Sequence, residues 1–382
     1  MSQRPHPARR PHRDAAPLGF PLVFPLAIVL ALGGCDAIGG SSGPEGRPDV
    51  QCSIPQSRIY DGGPPKDGIP ALSDPDFVGR IGPDAERSAY LADDDRVIGL
   101  LVDGEALAIP HNILWFHEIV NLDRGDRRLA VTYCPLTGSS LAFDRAPVGG
   151  GEFGVSGLLF RNNLLMYDRT SEESLWPQMM REARCGPRDG TMLPMYPIVE
   201  MTWDGWTSLH PETKVVSSAT GHDFDYRASN YPYGNYESPS SPPLFPMEEV
   251  DDRRPPKERV LGIAAEGEPV AFPFGELDGD VLRVVHTEVD GKAIVVFWDG
   301  DRRAAAAFRP SVDGETLSFE VIDGTIVDRA TGSDWRVDGR AVAGPLAGSH
   351  LPAFETAYVA FWFAWAAFHP ETAIWTADAG AR

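Results

Sequence analysis

Cys134, His117 and Glu118 are the residues of this sequence whose types best fit chemistry. Cys134 stands in "VTYCPLTGSS", on a tight turn behind an apolar, β-prone run, and His117-Glu118 precede the run "IVN". A thiolate near an imidazole can act as a nucleophile, because the imidazolium lowers the pKa of the thiol. In such a catalytic set Cys134 attacks, His117 is the base and Glu118 is the third member.

The same residues also fit a metal site. Cysteine and histidine are soft ligands suited to copper or zinc, with Met166 or Glu118 as a third ligand. The spacing from His117 to Cys134 matches no standard metal motif. A buried structural cysteine beside a hydrogen-bonded histidine explains the two residues as well, so three interpretations stay open.

A thiol-dependent enzyme would also need groups that hold its substrate. Arg161 and Asn162, in the polar stretch "FRNN", could orient an anionic or carbonyl substrate, and Tyr167 lies a few residues further along. These three residues are the predicted substrate-binding set.

An apparent internal duplication organises the chain around these residues. "VIGLLVDGEALAIP" (97–110) recurs as "VLGIAAEGEPVAFP" (260–273), and "WDGWTSLHPETKV" (203–215) recurs as "WFAWAAFHPETAI" (362–374). "AVTYCPLTGSSLAFDR" (130–145) aligns without gaps on "VVFWDGDRRAAAAFRP" (295–310). Two further blocks match in the same order, which makes chance an implausible explanation.

Each repeat consists mainly of predicted strands. Apolar runs flank the Asp-Gly pairs at 103, 290, 313 and 323, a pattern typical of two-residue hairpins. The Trp-x-x-Trp-x-x-x-His segments have helical spacing and should form short helices that end before the proline. The sequence therefore predicts a β-rich α+β fold, with two homologous strand-rich units and short helices.

The two repeats differ at the residues that could do chemistry. Cys134 aligns with Asp299, and His117-Glu118 with Leu282-Arg283. The tryptophans and the His-Pro-Glu-Thr corners occur in both repeats, so we interpret them as elements of the core and of helix ends. Any chemistry then belongs to the first repeat.

The N-terminus indicates export. Four arginines precede the apolar stretch "LGFPLVFPLAIVLALGGC", a signal-peptide pattern whose Leu-Gly-Gly-Cys end resembles a bacterial lipobox. We expect residues 1–34 to be removed and Cys35 to carry the lipid, which tethers the chain to the membrane on the periplasmic side of the cell envelope. The net charge of −21 and the lack of a basic patch argue against nucleic acid as a partner.

The remaining sequence divides into four predicted segments. Residues 35–56 are rich in Gly, Ser and Pro and predict a flexible spacer. The first unit spans 57–221, and the second, structural unit spans 259–382. A Pro- and Tyr-rich connector, 222–258, lies between them; it either wraps one unit or is a flexible linker, and its aromatic residues favour wrapping.

Several of these stretches resemble the family of domain of unknown function 3179. The matching stretches are "IPALSDPDFV", "HEIVN", "VTYCPLTGSSLAFDR", "GVSGLLFRNNLLMYDR", "SLWPQ", "HPETKVVS", "LFPM", "KERVLGI" and "FWFAWAAFHPET". The resemblance implies no established activity, but it marks Cys134 and His117-Glu118 as characteristic positions. Some relatives appear with a second cysteine where this chain has Thr137, which argues against a dithiol mechanism here.

Three functions follow as hypotheses. The first is a metal-binding lipoprotein with Cys134, His117 and Met166 as ligands of copper or zinc. The second is an enzyme with Cys134 as nucleophile and His117 as base. The third is a non-catalytic envelope module that binds a protein, a glycan or a small molecule.

Overall fold

The structure is a computed structural model that describes residues 51–279 and 281–378. The predicted signal peptide, 1–34, and the predicted lipidation site, Cys35, lie outside these residues. No helix in the described part of the chain is long and apolar enough to span a membrane.

Strands predominate over helices in the described residues, which confirms the predicted β-rich α+β class. The strands are β1 Ile59–Asp61, β2 Leu72–Ser73, β3 Phe77–Gly79, β4 Arg96–Val102, β5 Glu105–Pro110, β6 Ile119–Arg124, β7 Arg127–Cys134, β8 Ser139–Asp144, β9 Phe153–Phe160, β10 Asn163–Asp168, β11 Leu175–Pro177, β12 Val199–Thr202, β13 Lys214–Val216, β14 Arg259–Ile263, β15 Val270–Pro273, β16 Leu282–Val289, β17 Lys292–Asp299, β18 Ala304–Phe308, β19 Ser311–Val312, β20 Glu315–Thr316, β21 Phe319–Ile322, β22 Thr325–Asp328, β23 Asp334–Trp335, β24 Ala341–Ala343, β25 Ala357–Phe361 and β26 Ala373–Ile374. The helices are α1 His111–His117, α2 Trp203–Leu209, α3 Phe274–Leu277 and α4 Trp362–Phe368.

The four predicted Asp-Gly hairpins are confirmed. They join β4 to β5, β16 to β17, β19 to β20 and β21 to β22. In each pair both residues have positive φ, for example 49° at Asp103 and 86° at Gly104. A type I′ turn needs this backbone at both central positions, and Asp-Gly adopts it at low strain.

Strands from the two predicted units share one large sheet. Its order is β2-β6-β7-β8-β25-β14-β15-β26, and the join lies where Val359 pairs with Ser140. A second sheet has the order β12-β4-β5-β13-β3. The three-stranded sheet β16-β17-β18 lies beside its edge strand β12, where Thr202 N donates to Arg302 O at 3.0 Å. The described residues consequently pack as one compact unit.

The Trp-x-x-Trp-x-x-x-His segments form the two matching helices, α2 and α4, as predicted. In α2, Trp206 Nε1 donates to Thr213 Oγ1 at 2.8 Å, and in α4, Trp365 Nε1 donates to Thr372 Oγ1 at 2.9 Å. Both threonines belong to the His-Pro-Glu-Thr corner that follows the helix. These corners therefore fasten each helix to the core, because a buried indole N–H needs an acceptor.

Each of these indoles also covers a glycine on the neighbouring strand. A Cβ at Gly99 would lie 2.3 Å from the Trp206 ring, and one at Gly262 would lie 2.2 Å from the Trp365 ring. The aligned segments "VIGLL" and "VLGIA" thus need glycine at this position so that the tryptophan can approach the backbone.

The connector, 222–258, runs over the units without regular strands, and two of its tyrosines are buried. Tyr226 is 1% exposed and Tyr236 is 7% exposed. Tyr236 OH donates to Leu136 O at 2.8 Å, in the turn that follows Cys134. The connector therefore packs against the same turn that carries the thiol.

The spacer prediction needs a correction at residues 51–56. Cys52 forms a disulfide with Cys185, and Ser53 N donates to Arg184 O at 2.8 Å. These contacts attach the described end of the segment to the domain, because a disulfide removes the freedom of both partners. Composition could not predict it, since the partner cysteine is 133 residues away.

Candidate functional site

Cys134 is the last residue of β7 and is only 1% exposed. It is a free thiol, and its Sγ contacts Asn162 O at 3.8 Å. Burial raises the pKa of this thiol to about 11, and the Glu118 carboxyl adds to the increase. The thiol is therefore protonated at neutral pH.

The turn after Cys134 does not need a cysteine. Gly138 has a φ of 58°, and a Cβ there would lie 2.7 Å from the Phe361 ring, so the turn packs closely on the start of α4. In the aligned turn of the second unit, Asp299 Oδ1 accepts from Arg302 N at 3.0 Å and closes the turn. The aligned hairpin of the second predicted unit forms without a cysteine. The turn therefore does not require the Cys134 thiol for its structure.

Both ring nitrogens of His117 are hydrogen-bonded to groups other than Cys134. Its Nδ1 lies 2.7 Å from Pro70 O and its Nε2 lies 2.7 Å from Tyr226 OH. A carbonyl oxygen can only accept, so Nδ1 carries the proton and Nε2 accepts from the tyrosine. Burial lowers the pKa of His117 to about 4, which keeps the ring neutral. His117 is therefore a buried, hydrogen-bonded histidine.

Glu118, by contrast, does lie beside the thiol. Its backbone carbonyl accepts from Tyr133 N at 2.9 Å, next to Cys134 in the strand. Its side chain is buried, and burial raises its pKa to about 8. No side chain in the described part of the chain donates a hydrogen bond to its carboxyl group. Glu118 is therefore mostly protonated at neutral pH.

The predicted metal ligands are not gathered. Both nitrogens of His117 are occupied, and Met166 is fully buried in the core opposite Trp176 of β11. Within residues 51–279 and 281–378, no group of three or more His, Cys, Asp or Glu side chains is placed to hold a metal ion.

The predicted substrate-binding residues have other contacts. Arg161 Nη1 donates to Ala367 O. Asn162 Oδ1 accepts from Phe245 N at 2.8 Å and its Nδ2 donates to Phe245 O at 3.1 Å, which ties the connector to the β9–β10 turn. Tyr167 OH donates to Asp67. Of the three, only Asn162 touches Cys134, through its backbone carbonyl.

Lys257 is a candidate site residue that the sequence patterns did not single out. It is 2% exposed, and among the described residues its Nζ finds no hydrogen-bond acceptor. Aromatic rings enclose the ammonium group instead: Nζ lies 3.6 Å from the ring centre of Tyr236 and 4.1 Å from that of Phe363. Burial lowers the pKa of Lys257 to about 7, while Cys134 and Glu237 oppose the decrease.

A signal for Lys257 was present in the sequence. The chain has only four lysines, and Lys257 opens "KERVLGI", one of the stretches that carry the family resemblance. The other three, Lys66, Lys214 and Lys292, are exposed. A rare residue type at the end of a Pro-rich connector could have been singled out, but only the packing shows that it is buried.

Lys257, Cys134 and Glu118, with the rings of Tyr233 and Tyr236, form what we call the thiol–amine cluster. Burial raises the pKa values of both tyrosines, and the negative charge of a Cys134 thiolate raises them further. At neutral pH the cluster holds a protonated thiol, a mostly protonated carboxyl group and an amine that is about half protonated. Perturbed titrations of this kind, caused by burial and specific neighbours, are typical of functional sites.

Charged side chains continue from the cluster into the interior. Arg259 Nη2 lies 3.1 Å from Glu237 Oε2, and Arg259 Nη1 lies 3.5 Å from Glu200 Oε1. Arg96 Nε donates to the same Glu200 oxygen at 2.5 Å. Arg96 and Arg259 occupy aligned positions of the two units, and both meet this one carboxylate.

A sequence comparison decides the family of this chain. A sequence profile described as "Protein of unknown function (DUF3179)" matches residues 66–372. The chain belongs to this family. The DUF3179 match includes all members of the thiol–amine cluster and both His-Pro-Glu-Thr corners. No curated protein and no solved structure matches the chain significantly.

Proposed function

We propose that this DUF3179 protein is a thiol-dependent enzyme in which Cys134 is the nucleophile and Lys257 is the base. The observation that carries the proposal is Lys257: a buried amine without an acceptor among the described residues, whose pKa is lowered to about 7 beside a free thiol. Lys257 replaces His117, the base of the original hypothesis, because the ring nitrogens of His117 are already bonded.

The proposed reaction is attack on an acyl carbonyl group. Neutral Lys257 takes the thiol proton as the Cys134 sulfur bonds to the carbonyl carbon. Glu118, protonated because its pKa is about 8, donates a hydrogen bond to the resulting oxyanion. The leaving group departs with the proton from Lys257, and water then hydrolyses the acyl-cysteine. The buried setting of Cys134 favours a small substrate.

Export and lipid anchoring at Cys35 remain part of the proposal. The Cys52–Cys185 disulfide supports export, because disulfides persist mainly in oxidising compartments such as the periplasm. The pairing also leaves Cys134 as the free thiol of the described residues. Binding of copper or zinc stays a prediction, and the occupied nitrogens of His117 weigh against the ligand set from which it came.

We further propose that the two units arose by internal duplication. The element order β4-β5-α1-β6-β7-β8 is matched by β14-β15-α3-β16-β17-β18, and β12-α2-β13 is matched by β25-α4-β26. Strand β5 pairs parallel with β13, and β15 pairs parallel with β26. The aligned sequence blocks fall on these matching elements, so one unit serves as an internal control for the other.

A burst of product from an activated ester tests the proposed enzyme. We expect p-nitrophenyl acetate to release up to one p-nitrophenolate per chain rapidly, with an acetyl group on Cys134 in the mass spectrum. Cys134→Ala should abolish the burst. Lys257→Met should slow it by about 10²- to 10⁴-fold, the usual contribution of a general base.

Lys257→Arg is the matched control for charge. It keeps a cation in the cage but cannot accept a proton at neutral pH. If Lys257 acts as a base, the arginine variant is as slow as the methionine variant. A burst of wild-type rate in Lys257→Arg or Lys257→Met, or acetylation that avoids Cys134, would overturn the proposal.

A further inference from the structure

A network of polar side chains is buried at the turn that follows Cys134. Its members are each 0% exposed, and we call them the thiol-turn network: Thr132, Thr137, Ser139, Asn163 and Gln178. Ser139 Oγ lies 2.6 Å from Gln178 Oε1 and 2.8 Å from Thr137 Oγ1. Asn163 Nδ2 donates to Gln178 Oε1 at 2.8 Å, and Gln178 Nε2 donates to Thr132 Oγ1 at 2.8 Å. The five side chains therefore form one continuous set of hydrogen bonds.

Backbone groups fix the orientation of the two amide side chains in the network. Asn163 Oδ1 accepts from Met179 N at 2.9 Å, and Gln178 Nε2 donates to Ser139 O at 3.1 Å. A backbone N–H can only donate and a carbonyl oxygen can only accept, so neither amide can be reversed. Gln178 Oε1 is consequently an acceptor, and the Ser139 hydroxyl, 2.6 Å away, gives its proton to it.

Thr137 is the hydroxyl of the network that has a choice of acceptor. Thr132 Oγ1 donates to Leu141 O at 2.9 Å, and Ser139 has given its proton to the amide of Gln178. Thr137 Oγ1 accepts from Asn163 Nδ2 at 3.0 Å, which leaves its own proton for Ser139 Oγ or for a second acceptor. Such a hydroxyl can change its hydrogen bond when the charge of one acceptor changes.

The second acceptor is the sulfur of Cys134. Thr137 N donates to Cys134 O at 3.2 Å, which closes the turn and places the two residues against each other. Burial raises the pKa of the Cys134 thiol, and a hydrogen bond from the Thr137 side chain opposes the increase. A hydrogen bond to an anion is about twice as strong as one between neutral groups. We therefore expect Thr137 to donate to Ser139 beside a neutral thiol and to the sulfur beside a thiolate.

The second predicted unit builds the corresponding elements with apolar side chains. Gln178 and Val337 each lie two residues after a tryptophan that donates to a buried aspartate. Three members of the network align with residues of one buried apolar cluster: Thr132 with Phe297, Ser139 with Ala304 and Gln178 with Val337. Apolar packing can stabilise such positions as well as paired polar groups do. The fold therefore does not account for the polar side chains, and Thr137 connects them to the thiol.

We infer that Thr137 is a catalytic residue whose hydroxyl turns from Ser139 to the Cys134 sulfur and donates a hydrogen bond to it as the thiol loses its proton. The inference rests on the proposed function, in which Lys257 takes that proton. Thr137 transfers no proton, since only the acceptor of its hydrogen bond changes. Asn163 and the other members of the network are positioning residues, because they hold the Thr137 oxygen beside the sulfur.

Alkylation of Cys134 by iodoacetamide at pH 8 tests the inference without an acyl substrate. Mass spectrometry of the Cys134 peptide from the exported chain gives the rate. Thr137→Val keeps the shape of the side chain, and loss of a hydrogen bond to a charged group should make the thiolate about 10- to 100-fold rarer. The more basic thiolate that remains reacts faster, which recovers about half of this factor on a logarithmic scale, so alkylation should be about 3- to 10-fold slower.

Two further variants separate the hydrogen bond from packing. Thr137→Ser keeps the hydroxyl and should react at about the wild-type rate. Ser139→Ala removes the acceptor that competes with the sulfur for the Thr137 proton, so alkylation should be at least as fast as in the wild type. A variant that merely loosened the fold would expose the thiol and speed its alkylation, which is opposite to the effect expected of Thr137→Val.

An unchanged rate in Thr137→Val would overturn the inference. Alkylation clearly slower than in the wild type in Thr137→Ser or Ser139→Ala would overturn it as well, and these two variants still decide the question if Thr137→Val does not fold. The ester burst of the wild type reports separately on the proposed enzyme, because alkylation needs a thiolate but no acyl transfer. If that burst is absent, the proposed enzyme fails while the alkylation series still shows whether Thr137 stabilises the thiolate.

Discussion

Replacing Lys257 by methionine should stabilise the protein at acidic pH, the opposite of the usual effect of changing a buried residue. The pKa of Lys257 is lowered from 10.5 to about 7 in the folded chain. Between these values the unfolded chain binds more protons than the folded chain. The free energy of unfolding therefore rises with pH over this window, and the full penalty for burying the ammonium group is present below pH 7.

The size of the effect follows from the shift. At about 1.4 kcal/mol per pKa unit, the penalty below pH 7 is about 5 kcal/mol. Linkage gives a decrease of about 2.5 kcal/mol in this penalty between pH 6 and pH 9. Methionine has a similar length and suits the aromatic cage formed by Tyr236 and Phe363, so it should keep most of the packing.

Urea unfolding at pH 6, 7, 8 and 9, with the disulfide intact, measures the effect. The wild type should gain about 2.5 kcal/mol relative to Lys257→Met from the lowest to the highest pH. Lys292→Met, at an exposed lysine, should run parallel to the wild type. If the difference between Lys257→Met and the wild type stays constant with pH, Lys257 has an ordinary pKa and the basis for its role as a base is lost.

Three further predictions concern other parts of the molecule. Glu118→Gln should stabilise the chain increasingly as pH rises from 5 to 8. The pKa of Glu118 is raised to about 8 in the folded chain, so the wild type loses stability as pH rises toward and through that value. Parallel pH profiles of variant and wild type in urea would contradict this. Replacing Cys52 and Cys185 by serine should lower the free energy of unfolding by up to about 5 kcal/mol, as loop entropy gives for a large closed loop, and calorimetry showing an unchanged melting temperature would refute it. His117→Ala should destabilise the fold by about 1–3 kcal/mol through the unpaired groups it leaves yet leave the ester burst intact, and loss of the burst in a folded variant would restore His117 as a catalytic residue.

Local sequence patterns predicted the local features of this protein. The Asp-Gly pairs are hairpins because positive φ at two successive residues is a property of those residues, whatever surrounds them. The Trp-x-x-Trp-x-x-x-His segments are short helices because their apolar spacing and the following proline act within a few residues. The differences between the aligned blocks led to the prediction that any chemistry lies near Cys134, which stays a prediction.

The composition of the site depended on contacts between distant parts of the chain. His117 and Cys134 are nearer in sequence than Lys257 and Cys134. Yet the imidazole is hydrogen-bonded to Pro70 and Tyr226, whereas it is the pKa of the Lys257 amine that Cys134 affects. No local pattern reports which buried side chain lacks an acceptor, because that depends on every element packed around it.

The sequence by itself determined the strand-rich class, the Asp-Gly hairpins and the two short helices that end at the His-Pro-Glu-Thr corners. Only the tertiary structure decided that His117 is hydrogen-bonded to Pro70 and Tyr226, that Lys257 is buried without a hydrogen-bond acceptor among the described residues, and that Cys52 bonds to Cys185. The physical reason is range: backbone preferences and apolar periodicity act over a few residues, whereas burial, ion pairing and pKa shifts arise from side chains that only the folded chain brings together.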